Sequence, residues 1–188
     1  MTEMLIISNV LAWVMIIVLS AGLFALARQI GVMHERINPV GALSLGSTLD
    51  VGAQAPMFEL NSLTGGSTLV GGKSQDAKST LLFFVSATCP ICKELIPMLK
   101  KMQAQERGWL NLVFSSDGDP AEHQGVISRH GLEKYPYLVT PELGMAYRIG
   151  KLPYGVLIDE QGVVASHGLI NSREHLESLF AAKEQMAA

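Results

Sequence analysis

Leu81-Leu82-Phe83-Phe84-Val85-Ser86-Ala87-Thr88-Cys89-Pro90-Ile91-Cys92 is the stretch on which the fold turns. Its first five residues form an unbroken apolar run, the pattern of a strand covered on both faces. Directly after the second cysteine, Lys93 to Gln105 changes to helical spacing, with Leu95, Ile96, Leu99 and Met102 on one face. A Cys-x-x-Cys pair between a buried strand and a helix start is a strong redox signal. The spacing lets the two sulfurs meet in a short ring. The helix start offers the first sulfur unpaired backbone N–H groups and the positive end of the helix dipole, which favour thiolate over thiol. Thiolate is the nucleophile, so Cys89 is expected to attack and Cys92, a turn further in, to resolve the mixed disulfide. Pro90 suits the first helical turn, where its missing N–H had no partner. Ile91 adds no charge.

These are the only two cysteines among 188 residues. A chain stapled for stability would spread several along its length. A disulfide between Cys89 and Cys92 closes a tiny loop and gains little from chain entropy. Reactivity therefore explains the pair better than stability does. The rival readings are half of a metal site, or two buried inert thiols. Zinc would need two further ligands. The histidines at 34, 123, 130, 167 and 175 are scattered, and each reads as a surface or core residue. No metal and no cofactor beyond the dithiol itself is expected.

Further along, Leu110 to Phe114 is a second apolar strand and Ala121 to His130 a second helix. Tyr154 to Asp159 and Val163 to His167 flank Glu160-Gln161-Gly162, which reads as a hairpin. Asn171, with Glu174 three residues on, has the form of a capping box. It would open a last helix with Leu176, Leu179 and Phe180 as its stripe. The order is β-α-β-α followed by β-β-α, an α/β mixed sheet with helices on both faces.

On the N-terminal side, Met4 to Ala27 contains no charged residue. As a helix it would rise roughly 36 Å, enough to cross a hydrocarbon core of about 30 Å. Ala25-Leu26-Ala27 offers a signal-peptidase pattern, but the run is too long and Glu3 stands where Lys or Arg would be expected. We read residues 1–30 as an uncleaved transmembrane anchor and 31–50 as a juxtamembrane linker, rich in Gly and Ser after Asn38-Pro39. Residues 51–188 form the folded domain. Arg28 and Arg36 follow the span and no Lys or Arg precedes it, which by the positive-inside rule places the domain in the cytoplasm. The net charge of −3, with no Lys/Arg block, excludes nucleic acid as a partner.

The residues now in view resemble the thioredoxin superfamily, and within it the membrane-tethered bacterial branch. Val51-Gly52, Ala55-Pro56, Phe58 and Leu60 look like its entry strand. Tyr147, Leu152-Pro153 and Val156-Leu157-Ile158-Asp159 followed by Gly162 look like the segment carrying its cis-proline. The resemblance implies that Pro153 faces the disulfide and that the Leu152 backbone pairs with a substrate strand. Pro136 is the weaker candidate, because no such hairpin follows it. The span and Ala25 to Ile37, joined to the Cys-Pro-Ile-Cys domain, resemble the D accessory proteins of methylamine utilisation over essentially the whole chain. That family likeness implies a thiol–disulfide oxidoreductase or isomerase in the periplasm, held to the inner membrane by a single span, residues 4–27. Its partner would be the disulfide-rich small subunit of methylamine dehydrogenase, which carries a tryptophan-derived quinone. A further, unidentified electron donor or acceptor is implied. The likeness overrides the charge rule on orientation.

Two positions depart from thioredoxin. Phe83 stands where thioredoxin has a buried, proton-handling carboxylate, and Thr88 replaces the usual tryptophan before the first cysteine. Thr88, Pro90 and Ile91 leave the motif uncharged. Lys93 and Glu94 are local substitutes for the lost acid, though both are expected to face solvent. Among other functions, a peroxiredoxin would have Pro and Thr where Leu82 and Ser86 stand. A copper chaperone of the related kind spaces its cysteines by three and adds a histidine. The nearest alternative is a general periplasmic disulfide reductase, as in cytochrome c maturation.

Overall fold

The computed structural model describes residues 2–36 and 49–186. The chain separates into two units, the first built on a single helix, α1 (Thr2–Arg36), and the second starting beyond Leu45. In the second unit the order is β1 (Phe58–Asn61), β2 (Ser67–Val70), β3 (Ser79–Phe84), α2 (Pro90–Gln105), β4 (Leu110–Ser116) and α3 (Pro120–His130). It continues with β5 (Tyr137–Val139), α4 (Pro141–Ala146), β6 (Tyr154–Ile158), β7 (Val164–Leu169) and α5 (Arg173–Met186).

Within α1, Ile6–Phe24 is long and apolar enough to cross a membrane, with a mean hydropathy of 2.3. Leu11, Val14, Met15, Val18 and Leu19 are all exposed on it. An apolar surface of this length suits lipid. The helix continues to Arg36, so residues 31–36 of the expected linker are helical; residues 37–48 of that linker lie outside the described residues.

The apolar run at 81–85 supplies the central strand of a five-stranded sheet ordered β5-β4-β3-β6-β7. β3 runs parallel to β4, and β4 to β5, while β6 and β7 are antiparallel to their neighbours. Burial on both faces explains the unbroken apolar character of β3, because its alternate residues enter two different cores. Leu81 and Phe83 join Leu112, Phe114 and Tyr137 beneath α2, α3 and α5. Leu82 and Phe84 pack with Val113, Val156 and Ile158 on the other face, against Leu143 of α4 and Tyr147. The thioredoxin-like mixed sheet with helices on both faces is thus present, preceded by one apolar helix.

The entry strand forms as β1 and pairs with β2 in a separate two-stranded sheet, with Gln54 bridging to Val163. Two local expectations need correction. Between the second helix and the hairpin the chain forms β5 and α4, where no element was expected. Asn171 does not open α5, which begins at Arg173; its own N–H donates to His175 Nδ1 across 3.3 Å. The hairpin itself forms, and Asp159 Oδ1 holds its turn by accepting from the N–H groups of Gln161 and Val163.

Candidate active site

The parallel strands β3 and β4 both end at the edge where α2 begins, which places the Cys89–Cys92 segment at the carboxyl end of the sheet. Cys89 is the N-cap of α2, with extended backbone (φ −82°, ψ 113°), and Pro90 opens the helix. The backbone N–H of Cys92 donates to Cys89 Sγ across 3.2 Å, so a sulfur occupies the place a capping oxygen usually takes. An anionic sulfur gains from both that N–H and the helix dipole. The preceding loop is ordered by its own hydroxyls: Ser86 Oγ and Thr88 Oγ1 lie 3.0 Å apart, and Cys89 N–H donates to the Ser86 carbonyl.

The two sulfurs sit in different surroundings. Cys89 is partly exposed, whereas Cys92 is completely buried. Burial, with the neighbouring Cys89 sulfur adding to it, pushes the Cys92 thiol up to about 12. Cys92 is therefore a protonated thiol at neutral pH. Ile91 and Leu152 are exposed apolar residues, and Thr88 and Pro90 are exposed as well. The Leu152–Pro153 peptide is cis, the only such bond among the described residues. Pro153 is buried and immediately precedes β6, whose Tyr154 pairs with Phe84 next to the loop that carries Cys89. Lys93 is partly buried and Glu94 exposed.

One feature of this end of the sheet was missed in the sequence. Phe83, Phe114 and Tyr137 stand in register across three strands, with the Phe114 and Tyr137 rings stacked 6.0 Å apart. The Tyr137 hydroxyl lies 3.0 Å from Nδ1 of the buried His123, whose Nε2 lies 2.9 Å from the Asp117 carbonyl. Tyr137 and Cys92 belong to one buried cluster. No spacing rule links positions 123 and 137, because their contact depends on the pairing of β4 with β5. Among the described residues, no three His, Cys, Asp or Glu side chains converge as metal ligands.

Comparison with known proteins agrees with this fold. The family model described as Redoxin matches residues 50–182. The methylamine utilization protein MauD of Methylorubrum extorquens is 43% identical over 180 residues, covering 96% of this chain and 87% of that protein. MauD of Paracoccus denitrificans is 42% identical over 182 residues, covering 97% of this chain and 90% of that protein. Among solved structures, the thioredoxin domain of a thiol-disulfide oxidoreductase from Bacteroides vulgatus superposes with a TM-score of 0.59. It is 19% identical and covers 75% of this chain and all of that one, a likeness of fold.

Proposed function

Since the chain belongs to the MauD proteins within the Redoxin family, and is a thioredoxin-like thiol–disulfide oxidoreductase, we propose that it exchanges disulfides in the small subunit of methylamine dehydrogenase during that enzyme's maturation. Cys89 and Cys92 are the proposed reacting pair. The observation that carries this assignment is the contrast between them: Cys89 Sγ accepts a helix N–H at a partly exposed helix start, while Cys92 is buried beneath it.

Cys89 thiolate attacks one sulfur of a substrate disulfide, and the other substrate sulfur leaves as a thiolate. Cys92 then displaces the substrate from Cys89, which closes the Cys89–Cys92 disulfide and leaves the substrate reduced. Run backwards, the same steps insert a disulfide. When the reduced pair attacks a wrong bond and the released thiol attacks again, the substrate is rearranged. A redox partner resets the pair after each net transfer. The Leu152 backbone beside Pro153 pairs with the substrate strand, and Ile91 and Leu152 offer apolar contact on either side. A cysteine-rich subunit can pair its thiols in many ways, 15 for six and 105 for eight, so correct pairing needs such a catalyst. The domain is proposed to face the periplasm, with α1 holding it near newly exported chains and raising its effective concentration there.

A Cys92→Ser variant expressed in methylamine-grown cells tests this reading. It should carry the dehydrogenase small subunit as a mixed disulfide on non-reducing gels. Cells lacking the protein should accumulate little correctly bonded subunit while its transcript persists. Capture of cytochrome-maturation components alone, with normal dehydrogenase levels, would assign a general reductase instead.

A further inference from the structure

Between α4 and β6 the chain passes through Gly150, Lys151 and Leu152, whose backbone groups have no hydrogen-bond partner among the described residues. Leu152 is thereby left open to pair with a substrate strand, and the segment is positioned by its two ends. At one end the Ile149 N–H donates to the Gly144 carbonyl of α4 across 2.8 Å. At the other, the Ile170 N–H donates to the Pro153 carbonyl across 3.1 Å, and Tyr154 enters β6 between Phe84 and Leu169. Among the described residues, Tyr154 makes the only side-chain hydrogen bond of the stretch 150–154.

The Tyr154 hydroxyl lies 2.7 Å from Nδ1 of His167, with the two rings stacked 6.0 Å apart. His167 Nε2 lies 2.6 Å from the carbonyl oxygen of Leu49. A carbonyl oxygen can only accept, so Nε2 carries the hydrogen and Nδ1 accepts from the phenol. The bonds therefore run in one direction, from Tyr154 to His167 to Leu49. Leu49 belongs to the segment that lies along β7, where Gly52 N–H donates to the Val164 carbonyl and Val164 N–H to that of Ala53. Leu49 and Tyr154 rest against the same core, which contains Phe84 and Val156. Three separate pieces of chain are thus tied at a side chain two residues beyond Leu152.

We infer that Tyr154 and His167 are positioning residues for polypeptide substrates: their hydrogen bond holds Leu152 where a substrate strand pairs with it. The inference rests on reading the Leu152 backbone as the substrate-pairing strand. Neither residue acts on the sulfurs directly, since Tyr154 packs in the core on the face of the sheet opposite α2. What matters is what the phenol adds to a phenyl ring. Ring packing alone resists separation of β6 from the core. The hydroxyl fixes the ring in a second direction, toward β7 and the entry segment. A strand pairing with Leu152 needs both backbone groups well placed, because hydrogen bonds weaken steeply with misalignment. An extended polypeptide draws binding energy from that alignment. A small disulfide with little backbone beside its sulfurs draws none. The pair therefore favours polypeptide disulfides over small ones without altering either cysteine.

The test compares single-turnover oxidation of the reduced full-length protein, in detergent, by insulin and by glutathione disulfide. In each reaction the dithiol gives two electrons to one substrate disulfide and closes as Cys89–Cys92. Tyr154→Phe removes the hydroxyl and keeps the ring. It should raise the insulin concentration that gives half-maximal rate about three- to tenfold. The maximal rate, the rate with glutathione disulfide and the alkylation rate of Cys89 should stay within about twofold of wild type. His167→Leu should show the same split, and the double variant should lose no more than His167→Leu alone, because the shared bond is removed only once. Equal losses with insulin and glutathione disulfide, the mark of a general packing defect, would overturn the inference. Unchanged insulin kinetics in both single variants would overturn it as well. A wild type that reacts with glutathione disulfide but not with insulin would remove the substrate-pairing role of Leu152 on which the inference rests. Reaction with neither would overturn the reading of the cysteine pair instead.

Discussion

The backbone N–H of Cys92 points at the sulfur of Cys89 across 3.2 Å, so one residue supplies both the hydrogen bond that steadies the outer sulfur and the inner sulfur that later attacks it. The bond ties the reactivity of one cysteine to the helical geometry of the other. A substitution at position 92 that keeps the helix keeps this N–H, which is why Cys92→Ser is a usable trap.

The first prediction is a reactivity contrast. A thiol pushed up to about 12 is thiolate in only about one molecule in 10⁵ at pH 7. Iodoacetamide on the reduced protein should label Cys89 first. The Cys89→Ser variant should label at least about 100-fold more slowly than Cys92→Ser. Faster labelling of Cys92, with trapping by the Cys89→Ser variant, would invert the roles.

Cys92 also predicts a pH dependence of stability. Its thiol ordinarily titrates near 9.0 and is raised to about 12 in the folded protein. Between those values the unfolded chain has released the proton and the native state has kept it. Native binding of the extra proton means that stability falls as pH rises. The contribution is fully present below pH 9 and is lost toward pH 12, at no more than about 1.4 kcal/mol per pH unit. The buried Tyr137 is also raised to about 12, from 10.0, and adds to the loss above pH 10. Urea melts of the reduced protein at pH 8.5 and 10 should show the decline, and Cys92→Ala should flatten it. Equal slopes in both proteins would remove Cys92 as its source.

A third prediction concerns the β6–β7 turn. Gly162 has φ +84°, and a Cβ built there would lie 2.4 Å from the carbonyl oxygen of Gly72. The obstructing atom is backbone, so it cannot swing away. Left-handed strain and the clash together should make Gly162→Ala destabilising by about 2 kcal/mol or more. Gly150 offers the contrast, since a Cβ there meets nothing within 4 Å and its φ is not left-handed. Gly150→Ala should change the melting temperature little.

What the sequence made legible was what local chemistry determines. Leu81 to Val85 and Leu110 to Phe114 could be read as strands because burial on both faces leaves no polar alternation to confuse them. Cys89 and Cys92 announced themselves by position as well as by spacing. β5, only Tyr137–Val139, and α4, only Pro141–Ala146, are too short to display a period. Phe58 and Leu60 were read as strand residues correctly, but their partners in β2 are set by a tight turn at Gly65 and Gly66, both with positive φ. The contact between His123 and Tyr137 was invisible for a different reason: it exists only once β5 has docked beside β4.

The last prediction is the orientation of the domain, where charge and the proposed function disagree. Ile6–Phe24 is long enough to span with no flanking help. The positive-inside rule counts Lys and Arg within about 15–20 residues of a span, and here Arg28 and Arg36 lie on its C-terminal side with none on the other. Two charges make a small bias, and Glu35 stands between them on the chain. Against it stands the chemistry. A cytosol that keeps thiols reduced would offer the Cys89–Cys92 pair few disulfide-bearing clients, whereas the periplasm supplies them. Alkaline phosphatase, which needs its own disulfides to be active, should therefore be active when fused after Ala188, and a cytoplasm-dependent reporter at the same site should be silent. Replacing Arg28 and Arg36 with Gln should leave the phosphatase signal unchanged or increase it, because both residues oppose the proposed orientation. An inactive phosphatase fusion beside an active cytoplasmic reporter would put the domain on the other side of the membrane, and the maturation role would fall with it.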